Sequence, residues 1–102
     1  MIRHVVMWKV SEDALGEDET KEQAVRRLAG SLNALVEKVP GVVALSAGSN
    51  CVDADGNWDM GLVADFENQA DLDAYAVHPL HLEVVAQIRA VVSARACVDF
   101  EV

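Results

Sequence analysis

The chain has 102 residues, 52% of them hydrophobic, and sets 17 acidic side chains against 8 basic ones for a formal charge of −9. That length predicts one domain, residues 1–102, with enough apolar content for a real core. An acidic surface without a Lys/Arg patch excludes nucleic acid and anionic membrane as partners. No run approaches the roughly 18 to 20 consecutive apolar residues of a membrane span.

The opening Met1-Ile2-Arg3-His4-Val5-Val6-Met7-Trp8 is apolar but lacks a signal-peptide cleavage region, so it reads as a first strand and the expected location is cytoplasmic. Along Ile2 to Val10, His4, Val6 and Trp8 share one face while Val5 and Met7 share the other. A strand that is apolar on both faces needs both covered. Ser11 to Glu19 reads as an acidic loop. Thr20 opens a helix with Gln23 as capping-box partner. Its stripe is Val25, Leu28, Leu32, Leu35 and Val39, and Pro40-Gly41 ends it.

Val42 to Cys51 is the second strand. The turn Asp53-Ala54-Asp55-Gly56-Asn57 leads into a third strand from Trp58 to Phe66. Asn68 caps a short helix through Tyr75. A further helix starts at Pro79, with Leu82, Val85, Ile88 and Val92 as its stripe. A last strand runs from Arg95 to Val102. The order β-α-β-β-α-β with right-handed crossovers gives an α+β, ferredoxin-like fold: a four-stranded antiparallel sheet, ordered 4-1-3-2, with helices on one face. Cys51 and Cys97 then lie near opposite edges, unable to pair, which fits a reducing compartment.

In that arrangement one sheet face stays bare. It carries either His4, Val6 and Trp8 or Val5 and Met7, together with alternate residues of the third strand. Three or four large apolar side chains represent roughly 5 to 10 kcal/mol of transfer free energy. Such a patch exceeds what monomers usually leave wet. The expectation is a homodimer with the sheets face to face in a barrel.

The segment Tyr75-Ala76-Val77-His78-Pro79-Leu80-His81 holds the chemistry. Pro79 disfavours the helical region at His78, so one helix stops there and another starts, with His81 in its first turn. The positive end of a helix opposes a second positive charge on an imidazole. A neutral His81 can then accept a proton. The plainer role is His78 as a cap and His81 bonded to a backbone group. His78, His81 and Glu83 lack the spacing of an assured metal site, and neither haem ligation nor a glycine-rich phosphate loop is signalled, so no metal and no cofactor is expected.

Several pieces, in order, cover nearly the whole chain: Met1 to Lys9, Val39-Pro40-Gly41-Val42, Asp65-Phe66-Glu67, Leu72-Asp73-Ala74-Tyr75, His78-Pro79-Leu80-His81 and Val98-Asp99-Phe100. With them the chain resembles the stress-responsive A/B barrel (Dabb) proteins, within the dimeric α/β-barrel superfamily. The resemblance implies a ferredoxin-like protomer and a homodimer. Many members of that family have no assigned activity, and one branch includes plant polyketide cyclases. By resemblance to that branch, Tyr75 and His81 fall on the pair that promotes an aldol condensation, and His4 on a strand histidine. A further pocket histidine falls on Met60 here, a departure from the cyclase pattern. The candidate catalytic residues are thus His81 and Tyr75, with His4, His78 and Trp8 as candidate ligand-binding residues. The expected function is a homodimeric domain with a small-molecule pocket. The alternative is a cofactor-free enzyme, cyclase-like or monooxygenase-like, acting on a hydrophobic carbonyl compound, and the third possibility is a purely structural assembly module.

Overall fold

The computed structural model describes residues 1–102. Its elements are β1 (Ile2–Val10), α1 (Glu12–Leu15), α2 (Lys21–Asn33), α3 (Leu35–Lys38), β2 (Val42–Ser49), β3 (Met60–Phe66), α4 (Gln69–Ala76), α5 (Pro79–Arg89) and β4 (Val92–Glu101). The strands form one antiparallel sheet in the order β2-β3-β1-β4, the ferredoxin-like arrangement read from the sequence.

The long helical stripe is buried as expected, from Val25 through Leu28, Leu32 and Leu35 to Val39. The helix itself is broken into α2 and α3. Asn33, at the end of α2, turns its amide onto the free edge of β2. It donates to the Ala47 carbonyl at 2.9 Å and accepts from the Ala47 N–H at 2.8 Å. An exposed edge that would otherwise template another strand is thereby closed at its middle. The acidic segment after β1 holds the short α1, where a loop was expected. Four residues with Glu12 and Asp13 at the positive end of the turn give too brief a signal to read from periodicity.

The capping box forms. Thr20 Oγ1 accepts from Gln23 N–H at 3.2 Å and Gln23 Oε1 from Thr20 N–H at 2.9 Å. Replacing Thr20 by alanine orphans one of these donors and is expected to cost about 0.5 to 2 kcal/mol in urea denaturation. Gly41 ends the helical segment at φ 90°, and a Cβ there would sit 3.2 Å from the side chain of Asp71 in α4. Glycine is required twice over at this position.

All 18 buried residues are hydrophobic, and they sit between the helices and one sheet face. Val6, Trp8 and Val10 of β1 point there, as do Met60, Leu62, Ala64 and Phe66 of β3. The opposite face is bare. Val5 pairs with Val63 on one side and Val98 on the other, while Met7, Val63, Val98 and Phe100 are 42 to 55% exposed. The uncovered set is therefore the Val5 and Met7 one, and Trp8 belongs to the core side. Arg3 and Asp65 share this open face and pair through two contacts, at 2.9 and 3.1 Å. Trp58 is half-covered beside the hairpin loop, with the Lys9 ammonium 4.8 Å above its ring.

Candidate active site

Between the inner sheet face and helices α4 and α5 lies a cavity of about 440 Å³. That volume falls within the range that takes a small organic ligand. Eleven of its fifteen lining residues are hydrophobic, among them Val6, Trp8, Leu62 and Leu72. The stripe expected to bury α5, from Leu82 through Val85 and Ile88 to Val92, is in fact the cavity wall. Leu82 is 49% exposed; of that stripe only Ile88 is buried, and α5 seats itself through Ile88 and Val84, with Val91 following. Val92 already belongs to β4. The sequence pattern marks an apolar face without saying whether protein or space lies against it.

Two polar residues sit side by side in this apolar setting. Tyr75, in the last turn of α4, is 1% exposed, and its ring lies 5.1 Å from Phe66 and 4.2 Å from the His81 ring between centroids. No group of the chain hydrogen-bonds its hydroxyl, yet no buried side-chain oxygen is left sealed without a partner. The hydroxyl therefore opens on the cavity that Tyr75 lines. Burial pushes its pKa up to about 12, so it holds its proton at neutral pH.

His81 Nδ1 lies 3.1 Å from the Ala76 carbonyl. A carbonyl only accepts, so Nδ1 carries the proton and Nε2 of the neutral ring keeps its lone pair. Burial pulls the His81 pKa below 6.5, opposed by the Ala76 carbonyl. Its cause is chiefly loss of water, where the helix terminus was the expected one. The outcome is a base that is neutral at pH 7, beside a phenol that is a donor only. Such a pair can take a proton α to a carbonyl and hydrogen-bond the developing oxyanion.

His4 also lines the cavity, its ring edge-on to Tyr75 at 6.5 Å. Its Nδ1 meets Asp99 Oδ1 at 2.5 Å and Cys97 Sγ at 3.6 Å, both from the neighbouring β4. Burial, then the Asp99 carboxylate, raises the Cys97 thiol above its ordinary value.

Of the five residues singled out from sequence, His4, Trp8, Tyr75 and His81 converge on one cavity. His78 does not line it. It is the N-cap of α5, with Nδ1 accepting from the Leu80 N–H at 3.2 Å. Pro79 at the first helical position fixes that role, because the residue before it is held extended, at φ −64° and ψ 134°. Met60, where a histidine falls in the cyclase branch, is a buried core residue that does not line the cavity. Sequence reasoning missed Arg89, Arg95, Cys97 and Asp99. For the three β4 residues the signal is the strand register His4↔Asp99, which alternation alone does not set, while Arg89 ends α5.

The fold and cavity define a ferredoxin-like α+β domain with a chambered helix layer and an uncovered sheet face. The chain belongs to the stress responsive A/B barrel domain family, whose sequence model matches residues 2–102. Its fold is similar to that of a dimeric protein of unknown function from Bacteroides fragilis (27% identity, 99% of this chain and 95% of that one, TM-score 0.86). It is similar too to a dimeric ferredoxin-like protein of unknown function from Thermobifida fusca (26% identity, 99% and 90%, TM-score 0.82). A hydroxynitrile lyase from Passiflora edulis shares the fold at 12% identity (99% and 92%, TM-score 0.77). No curated protein sequence matches the chain. No helix is long and apolar enough to cross a membrane.

Proposed function

We propose that this one-domain protein is a homodimer whose cavity binds a small, largely apolar carbonyl compound, with His81 and Tyr75 as its polar contacts. The observation that carries the reading is the juxtaposition, inside an apolar chamber, of a phenol that keeps its proton and an imidazole that has lost one. Dimerisation is supported by the bare Val5, Met7, Val63 and Val98 face and by the dimeric state of the Bacteroides and Thermobifida proteins. Arg89 and Arg95 open on the same cavity, and neither pairs with a carboxylate. Free cations in so acidic a chain favour a ligand with an anionic end. Exposed, unpaired thiols at Cys51 and Cys97 fit a cytoplasmic setting.

A second reading, catalysis without a cofactor, rests on the assigned tautomer of His81 and on a lyase sharing the fold. His81 Nε2 takes the α-proton of a bound ketone, Tyr75 stabilises the enolate oxygen, and the proton returns to carbon in the product. A panel of aryl β-keto acids and their methyl esters, followed by melting temperature, tests the binding. The acids are expected to bind about tenfold tighter than the esters, and Tyr75→Phe to weaken the best of them by about tenfold, the worth of one hydrogen bond to a buried partner. Exchange of the α-hydrogen in heavy water, seen by NMR, tests catalysis, and equal rates with His81→Ala would sink it.

Binding through neutral His81 is flat above pH 6.5 and lost in more acidic solution, because the ring must then give up a proton. The same group makes stability pH-dependent. Its folded pKa lies below the ordinary 6.5, so its contribution is complete above that value. As pH falls beneath 6.5 the unfolded chain takes the proton first, and stability declines. His81→Gln is expected to flatten this part of the urea-midpoint profile between pH 5 and pH 7.

A further inference from the structure

His4 Nδ1, Cys97 Sγ and a carboxylate oxygen of Asp99 lie within 4.8 Å of one another. They come from adjacent strands. His4 pairs with Asp99, and Cys97 faces the same side two residues earlier on β4. Tertiary hydrogen bonding alone accounts poorly for the trio. Both β4 side chains aim at a single imidazole nitrogen, which carries at most one proton, and Asp99 takes it. The thiol is left 3.6 Å from that nitrogen and 4.0 Å from Asp99 Oδ2, at the outer limit of any bond to it. A Cys-His-Asp catalytic relay needs the thiol and the carboxylate on opposite ring nitrogens, and here they share one. Donor atoms crowding one point are the geometry of a coordination site.

We propose that His4, Cys97 and Asp99 form a three-ligand site for a zinc-class divalent cation at the rim of the cavity. Zinc bonds of about 2.0 to 2.3 Å set tetrahedral ligand separations of about 3.3 to 3.6 Å, which the His4–Cys97 distance already matches. Asp99, 44% exposed on its side chain, has room to rotate away from its short contact. Imidazole, thiolate and carboxylate together favour zinc over magnesium or calcium, which take oxygen ligands. On binding, the thiol proton passes to solvent and the imidazole proton moves to Nε2. One neutral ligand, two anionic ligands and a dication then sum to zero charge. Three protein ligands leave a fourth position for water or a ligand atom, the open form of such sites. His4 lines the cavity, so an ion there would stand beside the space that holds Tyr75 and His81. Arg95 is the cation facing the trio from its own strand.

Cobalt(II) added to the metal-free full-length protein is the test, read by its thiolate charge-transfer absorption and by competition with zinc against a chromophoric chelator. The expected result is one ion per chain with that band present. Cys97→Ser abolishes the band, His4→Ala and Asp99→Asn weaken zinc binding by at least about tenfold, and Cys51→Ser changes neither reading. All of these are followed with far-ultraviolet circular dichroism to confirm the fold, and Cys97 and Asp99 are exposed enough to tolerate the change. No band in the wild-type protein, a band that survives Cys97→Ser, or one that disappears with Cys51→Ser overturns the site. The readout involves no organic ligand, so its failure leaves the cavity proposal standing, and the reverse holds.

Discussion

In the proposed homodimer, Val63→Asp is expected to convert dimer to monomer, raising the dissociation constant by at least about a thousandfold. Val63 sits mid-sheet, flanked by Val5 of β1 and Ser46 of β2, on the face that no helix covers. In a face-to-face dimer the new carboxylate loses water without gaining a partner, and its symmetry mate does the same. About 4 kcal/mol of lost affinity corresponds to that thousandfold change. The protomer is untouched, since the side chain points away from the core. Sedimentation velocity of the variant at micromolar concentration is the check, with circular dichroism confirming the native fold. A variant that keeps twice the protomer mass would mean that the interface lies elsewhere.

Phe66→Ala is expected to lower stability by about 3 to 5 kcal/mol, the range for removing a fully buried aromatic ring. Phe66 is 0% exposed at the end of β3 and packs against Tyr75. Against a total stability of roughly 5 to 15 kcal/mol, the loss takes a large part of what holds the fold. It also removes the wall that sets the Tyr75 ring, so ligand affinity should fall with it. Phe100→Ala supplies the contrast. That ring is 43% exposed on the opposite face, so its loss should leave the protomer's urea midpoint nearly unchanged and weaken only the proposed dimer. Equal destabilisation by both substitutions would contradict the one-sided core.

Much of this architecture is legible in the sequence because the strongest signals are local. Thr20 with Gln23, the repeat from Val25 to Val39, and His78-Pro79 each report on a few neighbouring residues, and each appears where expected. Boundaries moved where tertiary contacts decide them. β4 begins at Val92, three residues before the alternation becomes visible, because its start is paired to β1. β3 begins at Met60, after a longer loop than the Asp55-Gly56 turn suggests, and Asn50 stitches that loop through Val52 and Asn57.

The site divides the same way. Tyr75 and His81 belong to one short segment, so their meeting follows from a helix end and a helix start. Cys97 and Asp99 reach His4 only through strand register across more than ninety residues, and no local pattern carries that. The α5 face shows a third kind of limit. Leu82 and Val85 are spaced as a core stripe should be, yet they border empty space, and only the packing of Val84, Ile88 and Val91 reveals which side of the helix is filled.

In the proposed dimer, where a second sheet lies over it, the forked contact between Arg3 and Asp65 gains meaning. On an open face the pair is bathed in electrolyte and adds little. Sandwiched between two sheets, the guanidinium and the carboxylate keep each other, both being on one protomer, but their remaining N–H donors and oxygen lone pairs must then meet polar groups of the opposing sheet. Such a pair acts as a registration pin, choosing one arrangement of two greasy surfaces that would otherwise accept several.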